Sequence, residues 1–248
     1  MFKVALITGA SRGIGAATAL ALAKEGFDIC INYKANKEAA EQVASKVVEL
    51  GKQAITIKAD VSKEDDVIFL FNEVDEKLGR LSALVNNAGV LLPQARVEEI
   101  TADRVNTLLT TNVTSYFLCC REAIKRMSVK HGGDGGSIIN VSSAAARLGS
   151  ANEYIDYAAS KGAIDTLTTG LSIEVADDGI RVNCVRPGFI NTTMHADGGE
   201  PDRINRVREN IPLKRGGEPS EVASAISYLV SDDASYITGA FLDVAGGR

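Results

Sequence analysis

Apolar residues in this chain occur in two patterns, short continuous runs and longer stretches with helical spacing. Val4–Ile7 is the first short run, and residues 27–33 form the second. Residues 16–25 and 38–50 have apolar positions that recur at helical intervals. Short buried strands that alternate with amphipathic helices predict a parallel sheet with helices on both faces.

The same alternation continues beyond residue 50. Further strands are predicted at residues 54–58, 83–85, 137–141 and 180–185, and helices at 64–78, at 98–130 and in the stretch that ends at Val175. The helix at 98–130 would contain Asn112, which costs up to about 0.7 kcal/mol relative to alanine inside a helix. The whole pattern predicts an α/β fold with a Rossmann-type doubly wound parallel sheet, in a single domain that spans residues 1–248.

Composition and charge narrow the class of partner. The chain has 248 residues, 45% of them apolar, and a formal net charge of −5, with its basic residues dispersed along the sequence. This distribution gives no electrostatic footprint for nucleic acid or for an anionic membrane. The first apolar run is too short for a signal peptide, and the sequence contains no stretch of about 18 consecutive apolar residues. We expect a cytoplasmic protein that acts on a small molecule, with no nucleic-acid or membrane partner.

Cysteine and histidine spacing does not indicate a metal site. The two histidines are far apart in the sequence, which weakens both a Ser-His-Asp hydrolase and a His-based metal site. No CxxC or Cys/His ligand spacing occurs. We therefore expect buried thiols, and neither a disulfide framework nor a zinc site, at the four cysteines Cys30, Cys119, Cys120 and Cys184.

A glycine-rich turn follows the first predicted strand and opens a helix. Glycines let the backbone turn tightly and approach a pyrophosphate, and the amides at a helix N-terminus favour an anion. The spacing is GxxxGxG and differs from the GxGxxG of the general dinucleotide fingerprint. Its position after strand one still favours a dinucleotide site. The predicted contacts are Gly9, Ser11, Arg12, Gly13, Ile14 and Gly15.

The end of the second strand bears on which dinucleotide binds. An acidic residue there would bind the adenosine ribose hydroxyls of NAD, but this sequence has Asn32, Tyr33 and Lys34. Because Arg12 and Lys34 can pair with a 2′-phosphate, we expect NADP(H) to be preferred, with NAD(H) as the alternative. Carboxyl ends of parallel strands share one edge, so Asp60, Val61, Asn86, Ala88 and Gly89 are further candidate contacts. For Asp60 or Asn86 alone, a helix cap or a turn explains the residue equally well.

Tyr157 and Lys161 are the candidate catalytic pair. Their i,i+4 spacing puts both side chains on one helix face, whereas Tyr154 is two turns from Lys161. A nearby ammonium favours the phenolate, so Lys161 is expected to lower the pKa of Tyr157 and make it a proton donor and acceptor. Taken alone, the pair could also be two ordinary side chains on the surface of an exposed helix. Ser142 and Ser143, at the end of the preceding strand, could supply a hydroxyl to the same site.

The chain closely resembles the single-domain branch of the short-chain dehydrogenase/reductases along essentially its whole length. The matching pieces are the Thr8-Gly9 turn with Gly13 and Gly15, Asp60-Val61, the Asn86 to Gly89 motif, Asn112, Ser143, Tyr157, Lys161, and Pro187-Gly188 with Thr192. The resemblance implies that Tyr157 exchanges a proton with the substrate oxygen and that Ser143 hydrogen-bonds that oxygen. It also implies that Lys161 binds the nicotinamide ribose and that Asn112 maintains a proton-relay water.

The resemblance has further implications and two departures. It implies that Pro187, Gly188, Ile190 and Thr192 line the nicotinamide, that residues 236–247 supply a seventh strand, and that the protein is a homotetramer. One more residue than usual separates Ser143 from Tyr157, so Ser142 remains an alternative hydroxyl. Ala245 replaces an aspartate found in many relatives, and no functional weight is attached to it.

The substrate is less defined by the sequence. Residues 191–210 have mixed polarity and are predicted to form a mobile lid over a pocket for a polar or sugar-like alcohol or ketone. A 3-oxoacyl-(acyl-carrier-protein) reductase is a rival, although Ile173 stands where such relatives usually have arginine. Arg121, Lys125 and Arg126 could partly compensate for that loss. A glucose-dehydrogenase-like enzyme is equally open, and a non-catalytic dinucleotide-binding sensor is a further alternative.

Overall fold

Seven parallel strands form one sheet in the computed structural model, which describes residues 3–248. The spatial order is β3-β2-β1-β4-β5-β6-β7, so the chain reverses direction across the sheet between β1 and β4. This order confirms the predicted Rossmann-type doubly wound sheet. The strands are β1 (Val4–Ile7), β2 (Asp28–Tyr33), β3 (Ala54–Lys58), β4 (Ala83–Asn86), β5 (Gly136–Val141), β6 (Ile180–Pro187) and β7 (Phe241–Val244).

Helices cover both faces of the sheet. Successive strand residues point to opposite faces, so Ala5 and Ile7 contribute to one hydrophobic core and Val4 and Leu6 to the other. Helices α1, α2 and α10 pack on the first core, and α3, α5 and α7 on the second. The ten helices of residues 3–248 are α1 (Gly13–Lys24), α2 (Lys37–Glu49), α3 (Glu64–Lys77), α4 (Ala102–Leu109), α5 (Ser115–Met127), α6 (Ala145–Leu148), α7 (Ile155–Glu174), α8 (Met194–Asp197), α9 (Arg203–Val207) and α10 (Pro219–Val230).

The helical stretch predicted at residues 98–130 is present but shorter, spanning residues 102–127, and it is not α-helical throughout. Helix α4 begins only after Thr101, whose side chain accepts a hydrogen bond from the Arg104 amide at 3.2 Å. A π-helical turn, Thr110–Thr114, then separates α4 from α5. Helix α1, in contrast, begins three residues earlier than predicted, because the glycine turn leads directly into it.

The segment at residues 191–210 is more ordered than an irregular lid would be. It contains the short helices α8 and α9 and is tied to the rest of the chain by ion pairs from Arg12 to Asp197 and from Arg203 to Glu153. Within residues 3–248, no helix has the length and apolar character needed to cross a membrane. The four cysteines are buried free thiols, as predicted.

Candidate active site

The glycine turn between β1 and α1 forms one wall of a long groove at the carboxyl edge of the sheet. Gly9 has a φ of 61°, and a Cβ there would lie 3.1 Å from the Ala88 Cα. Gly13 has a φ of 55° and faces Thr192, whose Cγ2 would be 3.4 Å from an added Cβ. Only glycine fits at these two positions without strain. Arg12 provides no side-chain cap for α1, and the first helical residues, Gly13 and Ile14, line the groove, so the N-terminus of α1 suits a pyrophosphate.

Most of the predicted coenzyme contacts line this groove together. They are Gly9, Ser11, Arg12, Gly13, Ile14, Lys34, Asp60, Val61, Ala88, Gly89 and Thr192. Gly15 does not, because it is buried beneath the turn, where an added Cβ would lie 2.7 Å from the Gly9 carbonyl oxygen. The glycine at this position therefore permits close packing, and its contact with a ligand would be indirect.

Asn86 also lies outside the groove, which corrects its prediction as a contact. Its side chain is buried and donates to the Asn140 Oδ1 at 3.0 Å. The next residue, Asn87, lines the groove and braces the glycine turn by donating from Nδ2 to the Thr8 carbonyl oxygen at 2.9 Å. The Thr8 hydroxyl in turn accepts from the Ala88 amide at 3.0 Å. The sequence motif contains two adjacent asparagines, Asn86 and Asn87. Because successive side chains at the strand end point in opposite directions, only Asn87 reaches the groove.

Tyr33 is the third corrected contact. Its side chain is 5% exposed and belongs to the hydrophobic core, because residue 33 ends β2 on the face that packs against α1, α2 and α10. The neighbouring Asn32 supports the turn by accepting from the Gly9 amide at 3.2 Å, and Lys34 reaches the groove. The prediction is therefore correct for the strand end and for Lys34, and wrong for Tyr33.

The two basic residues expected near a 2′-phosphate already have carboxylate partners. Lys34 Nζ lies 2.8 Å from the Asp60 Oδ2, and Arg12 pairs with Asp197 and also donates to the Thr193 hydroxyl at 2.8 Å. Partial burial would raise the pKa of Asp60, but hydrogen bonds from Lys34 and Ser62 hold it below its usual value. Both cations are exposed at the groove, so a bound phosphate would compete with these carboxylates.

A second cavity adjoins the groove and contains the predicted catalytic side chains. Ser143 lies just beyond the end of β5, and Tyr157 and Lys161 lie on α7. The loop after β6 closes the opposite wall. The predicted residues that line this cavity are Ile14, Gly89, Ser142, Ser143, Tyr157, Lys161, Pro187, Gly188, Ile190 and Thr192. Thr192 lines both spaces, so the cavity and the groove are continuous.

The two serines have different partners. Ser142 is 2% exposed and its hydroxyl donates to the Lys161 carbonyl oxygen at 3.1 Å, which fixes β5 against α7. The Ser143 hydroxyl lies near enough to the Tyr157 phenol to lower its pKa, and the Ser143 Oγ accepts from the Ala145 amide at 3.1 Å. Ser143 is therefore the serine with a hydroxyl beside the phenol, and Ser142 has a structural partner instead.

The predicted lowering of the Tyr157 pKa by Lys161 is wrong for this geometry. Burial raises the pKa of Tyr157 to about 12, although the neighbouring Ser143 hydroxyl and the charge of Arg203 act in the opposite direction. Lys161 Nζ lies 5.8 Å from the centre of the Tyr157 ring, and within residues 3–248 its hydrogen bonds go to Tyr116 and Val141 and not to the phenol oxygen. The phenol therefore remains protonated at neutral pH and can act as a proton donor.

Lys161 is held by groups that the sequence did not suggest. Its Nζ donates to the Val141 carbonyl oxygen at 2.8 Å and to the Tyr116 hydroxyl at 3.3 Å. The Tyr116 hydroxyl donates to the same carbonyl at 2.9 Å, so the three groups form a closed buried network. Burial lowers the pKa of Lys161 to about 8. Tyr116 follows Asn112 by four positions, and this spacing was its only sequence signal.

Asn112 explains the π-helical turn between α4 and α5. Its Oδ1 accepts from the Val90 amide at 2.8 Å, and its Nδ2 donates to the Val90 carbonyl oxygen at 3.0 Å and the Ser160 hydroxyl at 3.2 Å. These bonds tie the loop after β4 to α7 and offset the poor helix propensity of asparagine. π turns are frequent at functional sites, where they redirect backbone groups.

Comparisons with known proteins agree with this arrangement. The family model described as "Enoyl-(Acyl carrier protein) reductase" matches residues 9–248. The chain is 60% identical over 245 residues to the "Uncharacterized oxidoreductase YgfF" of Escherichia coli, with 99% of each chain covered. It is 35% identical to glucose 1-dehydrogenase 2 of Bacillus subtilis, covering 99% of this chain and 94% of that one. It is 37% identical to 3-oxoacyl-(acyl-carrier-protein) reductase FabG of Staphylococcus epidermidis, covering 100% and 99%.

A solved structure gives the same result. The short-chain dehydrogenase/reductase of Serratia marcescens superimposes with a TM-score of 0.91 at 35% identity, covering 99% of this chain and 97% of that one. The doubly wound sheet and its sequence relatives define an oxidoreductase that acts on CH–OH groups with a nicotinamide dinucleotide. The chain belongs to the short-chain dehydrogenase/reductase family.

Proposed function

We propose that this protein interconverts a carbonyl compound and a secondary alcohol with NADP(H), using Tyr157 as the proton donor and acceptor. The observation that carries the proposal is the position of Tyr157, which lines one cavity together with Ser143 and Lys161 where that cavity joins the groove. A neutral phenol at that point can hydrogen-bond a carbonyl oxygen and protonate it as negative charge develops.

The residues around the groove and cavity fit a nicotinamide dinucleotide. The uncapped amides of α1 would hold the pyrophosphate, and Lys161 and Thr192 would contact the nicotinamide end. When bound, the coenzyme supplies or accepts the hydride. In reduction, Ser143 orients the substrate oxygen and Tyr157 gives its proton to that oxygen. In oxidation, Tyr157 takes the proton back. Asn112 holds α7 and the loop after β4 in position. We propose that it also binds the water that returns a proton to Tyr157.

Replacement of the phenol tests the proposed reaction. Tyr157→Phe removes the proton but keeps the ring, so kcat should fall by roughly 10² to 10⁴ while NADPH affinity stays within about twofold. Tyr228→Phe is the matched control, because Tyr228 is an exposed tyrosine on α10 that does not line the cavity. NADPH oxidation with a panel of ketones and aldehydes provides the readout. Activity of Tyr157→Phe within tenfold of the parent would refute the assignment.

The preference for NADP(H) is supported by the side chains at the end of β2. Lys34 is exposed at the groove, and Asn32 stands at the strand end without a negative charge that would repel a phosphate. Lys34→Ala should therefore lower kcat/KM for NADPH about tenfold and leave that for NADH nearly unchanged, since a phosphate contact is worth about 1–2 kcal/mol. Lys46→Ala, at an exposed position of α2, is the control. Equal use of NADH and NADPH by the parent would contradict this preference.

A small polar alcohol or ketone fits the surface better than an acyl group on a carrier protein. Ile173, at the position where carrier-dependent relatives usually have arginine, is 75% exposed and offers no charge. The other candidates, Arg121 and Arg126, are paired with Glu64 and Asp75, which reduces their attraction for an acidic partner. Turnover of polyols and polar ketones should exceed that of 3-oxoacyl thioesters. A sensor without activity would bind NADPH and turn over neither class.

We also propose that the protein is a homo-oligomer, with a tetramer as the expected form. Leu109, Phe117 and Ile173 are large apolar residues that remain exposed on α4, α5 and α7. Such residues are typical of surfaces that become buried between subunits. Sedimentation equilibrium at micromolar concentration should give four times the chain mass, and a monomer would contradict the proposal.

A further inference from the structure

The cavity beside Tyr157 has an unusual charge. Three basic side chains line it, those of Lys161, Arg203 and Arg248, and no Asp or Glu of residues 3–248 is among its lining residues. Most of the other wall is apolar, with Leu91 and Leu148 as examples. Since Lys161 is assigned to the coenzyme, the two arginines are left to face the substrate. A cavity whose charged lining side chains are all cations favours an anion.

Arg203 is the more deeply buried of these arginines. It lies on α9, is 5% exposed, and its guanidinium carbon lies 4.3 Å from the centre of the Tyr154 ring and 5.4 Å from that of Phe189. Its Nη2 donates to Glu153. Its Nε and Nη1 are buried and find no hydrogen-bond partner within the described chain. The nearest carboxylate oxygen to Nη1, from Glu200, is 3.7 Å away, beyond hydrogen-bond distance.

Unpartnered guanidinium donors are costly to bury, so their retention needs an explanation. Leaving a buried donor unsatisfied costs about 1–3 kcal/mol, and more when the group is charged. The two rings hold the guanidinium plane by cation–π contacts, which fixes the directions of its N–H bonds. Fixed, unpaired donors of this kind match the oxygens of a carboxylate.

His195 adds an acceptor to the same cavity. Its Nε2 lies 3.1 Å from the Ile190 carbonyl oxygen, which can only accept, so Nε2 carries the proton. The other ring nitrogen, Nδ1, is buried and has no partner in residues 3–248. Burial lowers the pKa of His195, which keeps the ring neutral at pH 7. The cavity thus offers fixed donors on Arg203 and a fixed acceptor on His195.

We propose that the substrate carries a carboxylate that binds Arg203, so that the reaction interconverts an oxo acid and the corresponding hydroxy acid. This inference rests on the proposed function and adds the substrate class. In the reduction, the carbonyl carbon gains a hydride from the reduced nicotinamide, and its oxygen gains the Tyr157 proton as the carbonyl π bond breaks. The coenzyme is oxidised and the carboxylate is unchanged. The His195 Nδ1 accepts from a hydroxyl or amino group elsewhere on the substrate.

Matched acids and esters test the role of the charge. The substrates are 2-oxobutyrate, acetoacetate and levulinate, each beside its methyl ester, with NADPH oxidation as the readout. For at least one pair, the parent should show a kcat/KM for the acid at least about tenfold above that for the ester. Arg203→Met should reduce this acid-to-ester ratio at least about tenfold, chiefly through KM, because the guanidinium contact is lost in both the ground and transition states.

Arg206→Met is the matched control. Arg206 pairs with the same Glu153 and Glu200, but it is half exposed and does not line the cavity, so its removal should leave the ratio within about twofold. Far-UV circular dichroism and NADPH binding verify that each variant is folded. If Arg203→Met does not fold, Arg203→Lys serves instead, and it should lower the ratio by a smaller factor because it keeps the charge without the planar fork.

The outcomes separate this inference from the proposed function. Equal turnover of acids and esters by the parent overturns the substrate class and leaves the carbonyl reductase standing. An equal fall for acid and ester in Arg203→Met also overturns it, because Arg203 would then only hold α9 in place. Absence of turnover of every acid, ester and neutral carbonyl, with NADPH binding intact, overturns the proposed function itself.

Discussion

Replacing Lys161 should stabilise the fold while removing activity. The ammonium is 3% exposed, and burial moves its pKa from the ordinary 10.5 down to about 8. At about 1.4 kcal/mol for each tenfold change in proton affinity, this corresponds to about 3 kcal/mol of destabilisation at neutral pH. Lys161→Met removes the charge and keeps the length of the side chain. The Val141 carbonyl oxygen keeps a partner, since the Tyr116 hydroxyl still donates to it at 2.9 Å.

The pH dependence gives the sharper measurement. Between pH 8 and 10.5 the unfolded parent holds a proton on Lys161 that the folded parent has released, so parental stability rises through this window. The Met variant lacks this contribution. Its advantage should therefore be about 1–3 kcal/mol at pH 7 and should shrink by about 2 kcal/mol at pH 9.5. Other titrating groups are common to both proteins and cancel in the difference.

Urea unfolding followed by far-UV circular dichroism provides the assay, because the chain has no tryptophan. Both proteins are compared at one concentration, so that any oligomerisation contributes equally. Lys46→Met, an exposed position on α2, is the control and should change stability by less than about 0.5 kcal/mol at either pH. A Lys161→Met variant that is less stable than the parent at pH 7 would refute the reasoning. An advantage that does not change with pH would refute it as well.

Two further substitutions probe the groups around the cavity and groove. Tyr116→Phe removes an acceptor of the Lys161 ammonium, so the alkaline limb of the reduction rate, expected near pH 8, should move about half a pH unit lower. An unmoved limb would show that Tyr116 does not position Lys161. Gly9→Ala places a methyl group 3.1 Å from the Ala88 Cα at a φ of 61°, which should cost about 1–3 kcal/mol and weaken NADPH binding in a titration. Unchanged affinity and melting temperature would contradict this reading of the turn.

The parts of the site that sequence predicted well depend on local geometry. Tyr157 and Lys161 share a helix face because residues four positions apart do so on any α-helix. The glycine turn could be placed because a buried strand and a helix flank it directly in the sequence. Predictions failed where one residue decides the direction of a side chain. Tyr33 turned into the core, and Asn87 took the place expected for Asn86.

The electrostatics of the site could not be predicted in this way. Lys161 was expected to act on its helical neighbour, but its partners are Tyr116, 45 positions earlier, and the end of β5. Arg203 had no distinguishing sequence signal among the charged residues of the lid segment. Its burial depends on Tyr154 and Phe189, which the fold brings to it from two other elements.

The sequence by itself determined the order of strands and helices, the glycine turn and the helical pairing of Tyr157 with Lys161. These features follow from hydrophobic periodicity and backbone geometry over a few residues. Only the tertiary structure decided that burial raises the pKa of the phenol, that the Ser142 hydroxyl is bonded to the Lys161 carbonyl oxygen while Ser143 acts on the phenol, and that Arg203 faces the cavity. A pKa or an unpaired donor depends on desolvation and on partners supplied by distant segments, and those exist only once the chain has folded.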